Sequence, residues 1–172
     1  VPEWQPDMCI QCNQCAYVCP NAVIRPFLID EKEMAAAPEG MPTIKAIGKG
    51  FENLQFKIQV SPLDCTGCGS CVNVCPAPKG KAIVMKPIDS QLERKEDVNT
   101  DYLFNNVTYK DKIMGKATVK GSQFAKPLFE FSGACAGCGE TPYVKLVTQL
   151  FGERMMIANA TGCSSIYGCS AP

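Results

Sequence analysis

Residues 9–20 read CIQCNQCAYVCP, and residues 65–76 repeat the pattern as CTGCGSCVNVCP. Each stretch separates four cysteines by two, two and three residues and places a proline directly after the fourth cysteine. The chain contains no histidine, and the segment between the two stretches does not resemble either of them. Eight thiols set out twice in one register predict two related metal sites. We call the two stretches the first and the second quartet.

The composition excludes several other classes of protein. The 172 residues suffice for one ordinary domain or two small ones. Seventeen basic residues balance seventeen acidic ones, so nothing favours long-range attraction to nucleic acid or to an anionic membrane. No apolar run approaches the roughly 20 residues of a membrane-spanning helix. We therefore expect neither a nucleic-acid partner nor a membrane partner.

The two ends of the sequence predict a piece of a longer protein. The start, VPEWQPD, lacks an initiator methionine and also lacks the basic and apolar regions of a secretory signal. The chain stops after a glycine- and cysteine-rich stretch that no helix or strand follows. Near the start, Trp4 is expected to be a packing anchor.

Cysteine spacing separates the possible roles of the quartets. A disulfide framework fits poorly, because cysteines two residues apart lie too close in sequence to link distant segments. Zinc sites usually combine two separated cysteine pairs and often include histidine. Spacings of two, two and three residues followed by proline are instead typical of bacterial [4Fe–4S] sites, where the fourth cysteine ligates the other cluster. The spacing therefore predicts two iron–sulfur clusters.

The same rule assigns the ligands. The first cluster is expected to be held by Cys9, Cys12, Cys15 and Cys75. The second is expected to be held by Cys65, Cys68, Cys71 and Cys19. Three closely spaced thiolates can wrap a cubane from a loop, and the fourth is expected to begin a helical stretch facing the partner cluster. Pro20 and Pro76 remove a backbone N–H beside the fourth ligand and fix the direction of the turn.

Both quartets resemble the bacterial dicluster ferredoxin motif. The resemblance implies an α+β domain with two-fold pseudosymmetry and two low-potential clusters that relay single electrons. The spacer from Cys19 to Cys65 is longer than in minimal ferredoxins, so an insertion is expected between the halves. Within it, the pattern predicts a strand over 21–29, a short helix over 30–37 and a half-buried strand over 54–60.

The middle of the chain carries weaker signals. Residues 82–85 form another apolar run that predicts a short strand. Residues 89–106 are polar and charged, which favours a surface helix or linker with few core contacts and a domain boundary near residue 100. Residues 107–126 have weak strand character and are expected to form an arm.

The C-terminal stretch follows a different pattern. Thr141 and Pro142 suit a helix start, with the threonine as cap, and Gly152 can end that helix after an apolar stripe. Residues 155–160, MMIANA, predict a short buried strand with Met155 and Met156 in its core. A loop, a helix, a strand and a second glycine-rich loop in succession are typical of the first unit of an α/β domain. Open α/β sheets bind ligands near such loops.

Four further cysteines lie in this stretch. They are Cys135, Cys138, Cys163 and Cys169. Taken alone, the pair at 135 and 138 leaves zinc, a redox dithiol and two unrelated thiols open. However, residues 131–172, with the loops GACAGCGETPY and ANATGCSSIYG, resemble the start of the C-terminal thiamine-binding domain of pyruvate:ferredoxin (flavodoxin) oxidoreductases. In that family a dicluster ferredoxin domain directly precedes the thiamine domain, which is the order found here.

This resemblance implies a third [4Fe–4S] cluster near thiamine diphosphate. Its ligands would be Cys135, Cys138 and Cys163, with a fourth ligand beyond this chain. Glu140 and Cys163 would also line the thiamine diphosphate pocket. Cys169 stands where the family usually has glycine and is not counted as a ligand. Without the resemblance, Glu140 is only an acidic residue that a helix dipole would stabilise.

The resemblance also implies domains and a function. It divides the chain into a dicluster ferredoxin-like domain (1–100), a linker or arm (101–130) and the truncated start of a thiamine-binding domain (131–172). The parent enzyme would convert pyruvate and coenzyme A to acetyl-CoA, using thiamine diphosphate and Mg²⁺. Clusters would relay single electrons from a thiamine-bound intermediate to ferredoxin or flavodoxin. We expect a homodimeric parent in a reducing compartment, the cytoplasm or an anaerobic organelle.

Within that reaction the present residues would form the electron-transfer portion and contribute no catalytic residue. A free-standing two-cluster ferredoxin-type carrier is the chief alternative, and a structural zinc module is a third class. An uninterrupted longer reading frame would favour the oxidoreductase, and a colourless protein would favour zinc.

Overall fold

The computed structural model describes residues 1–167. The strands are β1 (Pro2–Trp4), β2 (Ile24–Ile29), β3 (Ile44–Lys45), β4 (Gln55–Val60) and β5 (Ile83–Met85). The helices are α1 (Gln14–Tyr17), α2 (Glu31–Ala35), α3 (Ser70–Val74), α4 (Ile88–Glu93), α5 (Glu96–Asn106), α6 (Val119–Ser122), α7 (Thr141–Phe151) and α8 (Cys163–Tyr167). Single 3₁₀ turns cover Pro6–Met8 and Gly152–Arg154. None of the helices in this range is long and apolar enough to span a membrane.

Two antiparallel sheets enclose the quartets. β1 pairs with β5, with Trp4 opposite Ile83, so the strand before the first quartet meets the strand after the second. The other sheet has the order β2-β4-β3, and its long pair runs from Ile24 opposite Val60 to Ile29 opposite Gln55. These pairings confirm the strands predicted over 21–29, 54–60 and 82–85. They hold the two quartets in one mixed helix-and-sheet unit.

β4 is buried on both faces, so the prediction of a half-buried strand was wrong. Phe56 and Ile58 face the main core, as the alternation predicts. The polar face lies under α5, where Lys57 forms an ion pair with Glu96 at 3.4 Å. Gln59 Nε2 donates to Thr100 Oγ1 at 2.9 Å on the same helix. Because α5 supplies a carboxylate for Lys57 and acceptors for the Gln59 amide N–H groups, both side chains tolerate burial that the sequence pattern does not predict.

α5 also contradicts the expectation of few core contacts over 89–106. Leu103 is completely buried and packs with Phe27 and Ile29 in a second apolar cluster. Residue 100, near which a domain boundary was expected, lies inside this helix. The core that contains β2 therefore continues along the chain to Val107, which is also buried.

The segment 107–126 contains the short helix α6 and no strand, so its predicted strand character was wrong. The segment nevertheless makes specific contacts with the first region. Arg25, which is buried, donates to the Tyr109 hydroxyl at 2.8 Å and forms an ion pair with Glu130 further on. Side-chain contacts of this kind attach the segment without extending a sheet.

α2 confirms the short helix predicted over 30–37. Asp30 Oδ1 accepts from the Glu33 backbone N–H at 3.0 Å, and Glu33 Oε2 accepts from the Asp30 N–H at 3.0 Å. This reciprocal capping box satisfies backbone donors that the first turn would leave free.

α7 confirms the predicted C-terminal helix, with a different cap. The capping position is Glu140, whose side chain makes no capping hydrogen bond, and Thr141 is the first helical residue. The strand and core predicted over 155–160 were wrong: the segment forms no strand, and Met156 and Ile157 are 99% and 71% exposed. A strand here would need a neighbouring strand, and residues 1–167 place none beside it.

Candidate metal centres

A short helix in each quartet carries the third cysteine and ends before the fourth. Cys15 lies on α1, which ends at Tyr17, and Cys71 lies on α3, whose C-terminal capping residue is Cys75. Neither Cys19 nor Cys75 begins a helix, so the expectation that the fourth cysteine begins a helical stretch was wrong. Proline is the physical reason, because the residue before a proline is pushed from helical to extended backbone. Cys75 accordingly has φ −63° and ψ 117°.

The structure brings the thiols together around two cavities. The first thiol cavity is lined by Cys9, Cys12, Cys15 and Cys75. The second thiol cavity is lined by Cys19, Cys65, Cys68 and Cys71. Each cavity thus takes three cysteines from one quartet and the fourth from the other. These are the groups of four that the spacing predicts.

The walls around the thiols are largely apolar. Trp4, Ile58 and Ile83 line the first thiol cavity, and Val23 and Ile24 line the second. Strands β1, β2, β4 and β5 supply most of these side chains, so the two sheets form the walls of both cavities.

Burial acts against free thiolates at these positions. Burial, together with a smaller effect of the nearby cysteines, raises the pKa of Cys71 to about 12. Burial likewise raises the pKa of Cys9, Cys15 and Cys65. A bound cation of high charge reverses this preference, because a coordinating thiol is deprotonated.

Buried N–H donors test whether an iron–sulfur cluster fits the first thiol cavity. The indole N–H of Trp4 is buried and has no hydrogen-bond partner within residues 1–167. Burial raises the pKa of Cys9, and the Trp4 N–H beside its sulfur acts in the opposite direction. Backbone N–H groups of Gln11 and Ala82 donate to Cys9 Sγ at 3.4 Å and to Cys75 Sγ at 3.3 Å. Donors aimed at sulfur are what a sulfur-rich, negatively charged cluster requires.

The donor set bears on the choice of metal. Four thiols line each cavity, and backbone N–H groups donate to a sulfur of Cys9 and of Cys75. Four cysteine thiolates with hydrogen bonds to sulfur are the donors that a [4Fe–4S] cluster uses, so the residues present fit such clusters.

Cys135, Cys138 and Cys163 occupy a more open setting. Cys135 and Cys163 are exposed, and Cys138 is partly exposed. Cys138 Sγ accepts from the Glu140 backbone N–H at 3.4 Å at the start of α7. Backbone hydrogen bonds, the largest from Thr141, lower the pKa of Cys138, as expected for a thiol at a helix N-terminus.

Tyr167 shows which of these groups lie close together. Burial raises the pKa of Tyr167, and the nearby Glu140, Cys138 and Cys163 add to that effect. The loop between Cys135 and Cys138 also approaches the second thiol cavity, since a Cβ placed on Gly137 would lie 3.4 Å from Cys68 Cβ. Cys169 lies outside the described residues.

Sequence reasoning missed two side chains beside the thiols. Gln11 is buried inside the first quartet and donates to the Lys45 carbonyl at 2.8 Å, which fixes the cysteine loop against β3. Lys145 on α7 is 1% exposed and donates to carbonyls of α1. No local signal predicts Lys145, which stands between Val144 and Leu146 in an otherwise apolar helix.

Part of the chain matches a known protein family, and the whole chain is similar to segments of known enzymes. Residues 8–79, which contain both quartets, match the family described as the 4Fe-4S dicluster domain. The chain is 61% identical over 173 residues to the pyruvate:ferredoxin oxidoreductase of Moorella thermoacetica, covering 100% of this chain and 14% of that protein. It is 58% identical over 172 residues to the pyruvate-flavodoxin oxidoreductase of Enterobacter agglomerans, covering 100% of this chain and 14% of that protein.

A third relative has a different name. The chain is 54% identical over 173 residues to the pyruvate dehydrogenase (NADP+) of Cryptosporidium parvum, covering 100% of this chain and 9% of that protein. The chain thus spans about one seventh or less of the length of these relatives. The resemblance predicted from the quartets and the C-terminal loops is confirmed.

Proposed function

We propose that this chain is the electron-transfer segment of a pyruvate:ferredoxin (flavodoxin) oxidoreductase, starting from its full-length similarity to segments of such enzymes. One observation carries the proposal: each of the two thiol cavities is lined by three cysteines of one quartet and the fourth of the other. This crossed arrangement is the one that two-cluster ferredoxins use.

Ligation follows from the cavities. Cys9, Cys12, Cys15 and Cys75 would hold one [4Fe–4S] cluster, and Cys65, Cys68, Cys71 and Cys19 would hold the other. The clusters would supply one-electron transfer. The protein contributes the apolar walls, which exclude water, and the Ala82 backbone N–H, which donates to Cys75 Sγ at 3.3 Å. The buried indole N–H of Trp4, beside Cys9 and without a partner within residues 1–167, would donate to the cluster. Exclusion of water and hydrogen bonds to sulfur are the means by which a protein sets a cluster potential.

Cys135, Cys138 and Cys163 would hold part of a third cluster, with a fourth ligand outside this chain. The proximity of Cys138 and Cys163 to Tyr167 supports the grouping of these two thiols. The contact between Gly137 and Cys68 supports a direct approach of this loop to the second thiol cavity. Glu140 and Cys163 would line the thiamine diphosphate pocket of the parent enzyme, which also binds Mg²⁺, pyruvate and coenzyme A.

The proposed domains follow the division that the resemblance implies, except at the first boundary. The ferredoxin-like domain, predicted over 1–100, would extend to residue 107, because Leu103 and Val107 pack with Phe27 and Ile29, and it would contain an inserted segment between its halves. The arm would follow as far as residue 130, and 131–172 would start a thiamine-binding domain of the α/β class. The remainder of a homodimeric parent would supply the active site. Ferredoxin or flavodoxin would accept the electrons, in the cytoplasm or a reducing organelle.

The experiment that tests this function measures iron and acid-labile sulfide per chain after anaerobic reconstitution, with EPR spectra before and after dithionite. We expect about eight iron atoms per chain, for two [4Fe–4S] clusters. About twelve would mean that the third site also closes within these 172 residues. Stoichiometric zinc, or no metal, would overturn the proposal.

A pair of double variants tests the crossed ligation. Cys12→Ala with Cys75→Ala removes two thiols from one cavity, so about four iron atoms should remain. Cys12→Ala with Cys19→Ala removes one thiol from each cavity, so both clusters should be lost. The reverse ranking would show that each quartet holds its own cluster.

A further inference from the structure

Lys145 carries a buried charge that the proposed function does not use. Its side chain is 1% exposed, although it lies on α7 rather than in residues 1–107, which we call the quartet region. The ammonium donates to the Ala16 carbonyl, to the Tyr17 carbonyl at 3.1 Å and to Gln123 Oε1 at 3.4 Å. All three acceptors are neutral.

No carboxylate compensates this charge. The ion pairs found within residues 1–167 do not include Lys145. Burying an ammonium without an opposite charge is costly, so buried cations are normally paired. Lys57 illustrates the normal case, since it is equally buried and lies 3.4 Å from the Glu96 carboxylate. The position of Lys145 therefore calls for a source of negative charge.

The quartets supply that source. Burial lowers the pKa of Lys145 to about 8, and the thiolates of Cys19 and Cys15 act in the opposite direction. Cys15 lines the first thiol cavity and Cys19 lines the second. The carbonyls that hold the ammonium belong to Ala16 and Tyr17, between these two cysteines. Lys145 thus lies beside the backbone that joins the two cavities.

We propose that Lys145 is a counter-charge shared by the two clusters, which raises both reduction potentials and attaches α7 to the quartet region. The inference rests on the proposed function, because the clusters provide the anion. Reduction adds negative charge to a cluster, so a fixed cation beside it favours the reduced form. Lys145 is a positioning residue, since it touches the protein around the clusters rather than the clusters themselves.

The test is a redox titration of the reconstituted 172-residue chain, followed by EPR, for Lys145→Met and Lys145→Arg. We expect Lys145→Met to keep about eight iron atoms and to shift both midpoints to more negative values. Lys145→Arg keeps the charge and should leave the midpoints near those of the unchanged chain. If the midpoint potentials of a Lys145→Met chain with both clusters present equal those of the unchanged chain, the proposal is overturned.

Lys57→Met is the matched control. It removes an equally buried lysine, but one whose charge Glu96 already compensates. It should therefore lower the melting temperature without the shift in both midpoints. An equal shift in Lys57→Met would mean that the effect comes from loosened packing, and would also overturn the proposal.

Lys145 variants that fail to incorporate iron–sulfur clusters also test the proposal. If Lys145→Met and Lys145→Gln lose iron while Lys145→Arg keeps it, the charge itself is required and the proposal holds. If Lys145→Arg loses iron as well, a specific shape is required and the proposal fails. Absence of iron from the unchanged chain would instead defeat the proposed function, so the two failures are distinguishable.

Discussion

The quartet region, residues 1–107, and the C-terminal segment, residues 131–167, differ in what happens to their apolar side chains. In the quartet region Phe56 and Leu103 are fully buried. In α7 the polar Lys145, Thr148 and Gln149 are buried, whereas three apolar side chains spaced four residues apart are exposed. These are Tyr143, Val147 and Phe151, with exposed fractions of 69%, 42% and 48%.

The two regions differ in where their apolar side chains have packing partners. The quartet region closes its own core from two sheets and the helices that cover them. The C-terminal segment is attached to that region through polar contacts, such as Lys145 Nζ donating to the Tyr17 carbonyl at 3.1 Å. Its apolar face has no partner within residues 1–167, and the proposed remainder of the parent enzyme is the partner that we infer for it.

Iron content should show the largest difference between the two regions. Cys15→Ala with Cys71→Ala removes a thiol from each buried cavity, so both clusters and nearly all the iron should be lost. Cys135→Ala with Cys138→Ala removes two thiols from the open loop and should leave about eight iron atoms per chain. Iron and sulfide analysis of the two variants measures the contrast. Equal losses would mean that the open loop takes part in holding the quartet clusters.

Core truncation should give the next largest effect. Phe56→Ala removes a fully buried ring from β4 and should cost about 3–5 kcal/mol. That cost corresponds to roughly 10 °C in the melting temperature of the loaded chain. Val147→Ala truncates an exposed apolar side chain on α7 and should stay within about 0.5 kcal/mol. A comparable loss from Val147→Ala would show that the apolar face of α7 is covered in solution, for instance by a second copy.

Helix caps should give the smallest contrast. Asp30→Ala removes the side-chain half of the α2 capping box and should cost about 1 kcal/mol. Glu140→Ala changes a capping residue that makes no side-chain capping bond, so its effect on the melting temperature should be smaller. A larger effect from Glu140→Ala would point to a contact made by its carboxylate, such as one with Tyr167.

Local signals allowed much of the fold to be predicted. The apolar run over 21–29 located β2, the alternation of apolar residues located β4, and helical spacing located α7. Prediction failed where a distant element decides the outcome. Lys57 and Gln59 looked solvent-facing, and they are buried because α5 supplies Glu96 and Thr100. The strand expected over 155–160 does not form, because no neighbouring strand lies beside it.

The sequence by itself determined the chemistry of the quartets, because cysteine spacing and the following proline are properties of a few adjacent residues. It also determined the grouping of the thiols, through a rule about which cysteine crosses over. Only the tertiary structure decided what surrounds them: the unpartnered N–H of Trp4, the walls from two sheets, and the ammonium of Lys145, which lies beside Ala16 although 129 residues separate the two along the chain. Electrostatic and packing energies depend on distance in space, so no local pattern encodes them.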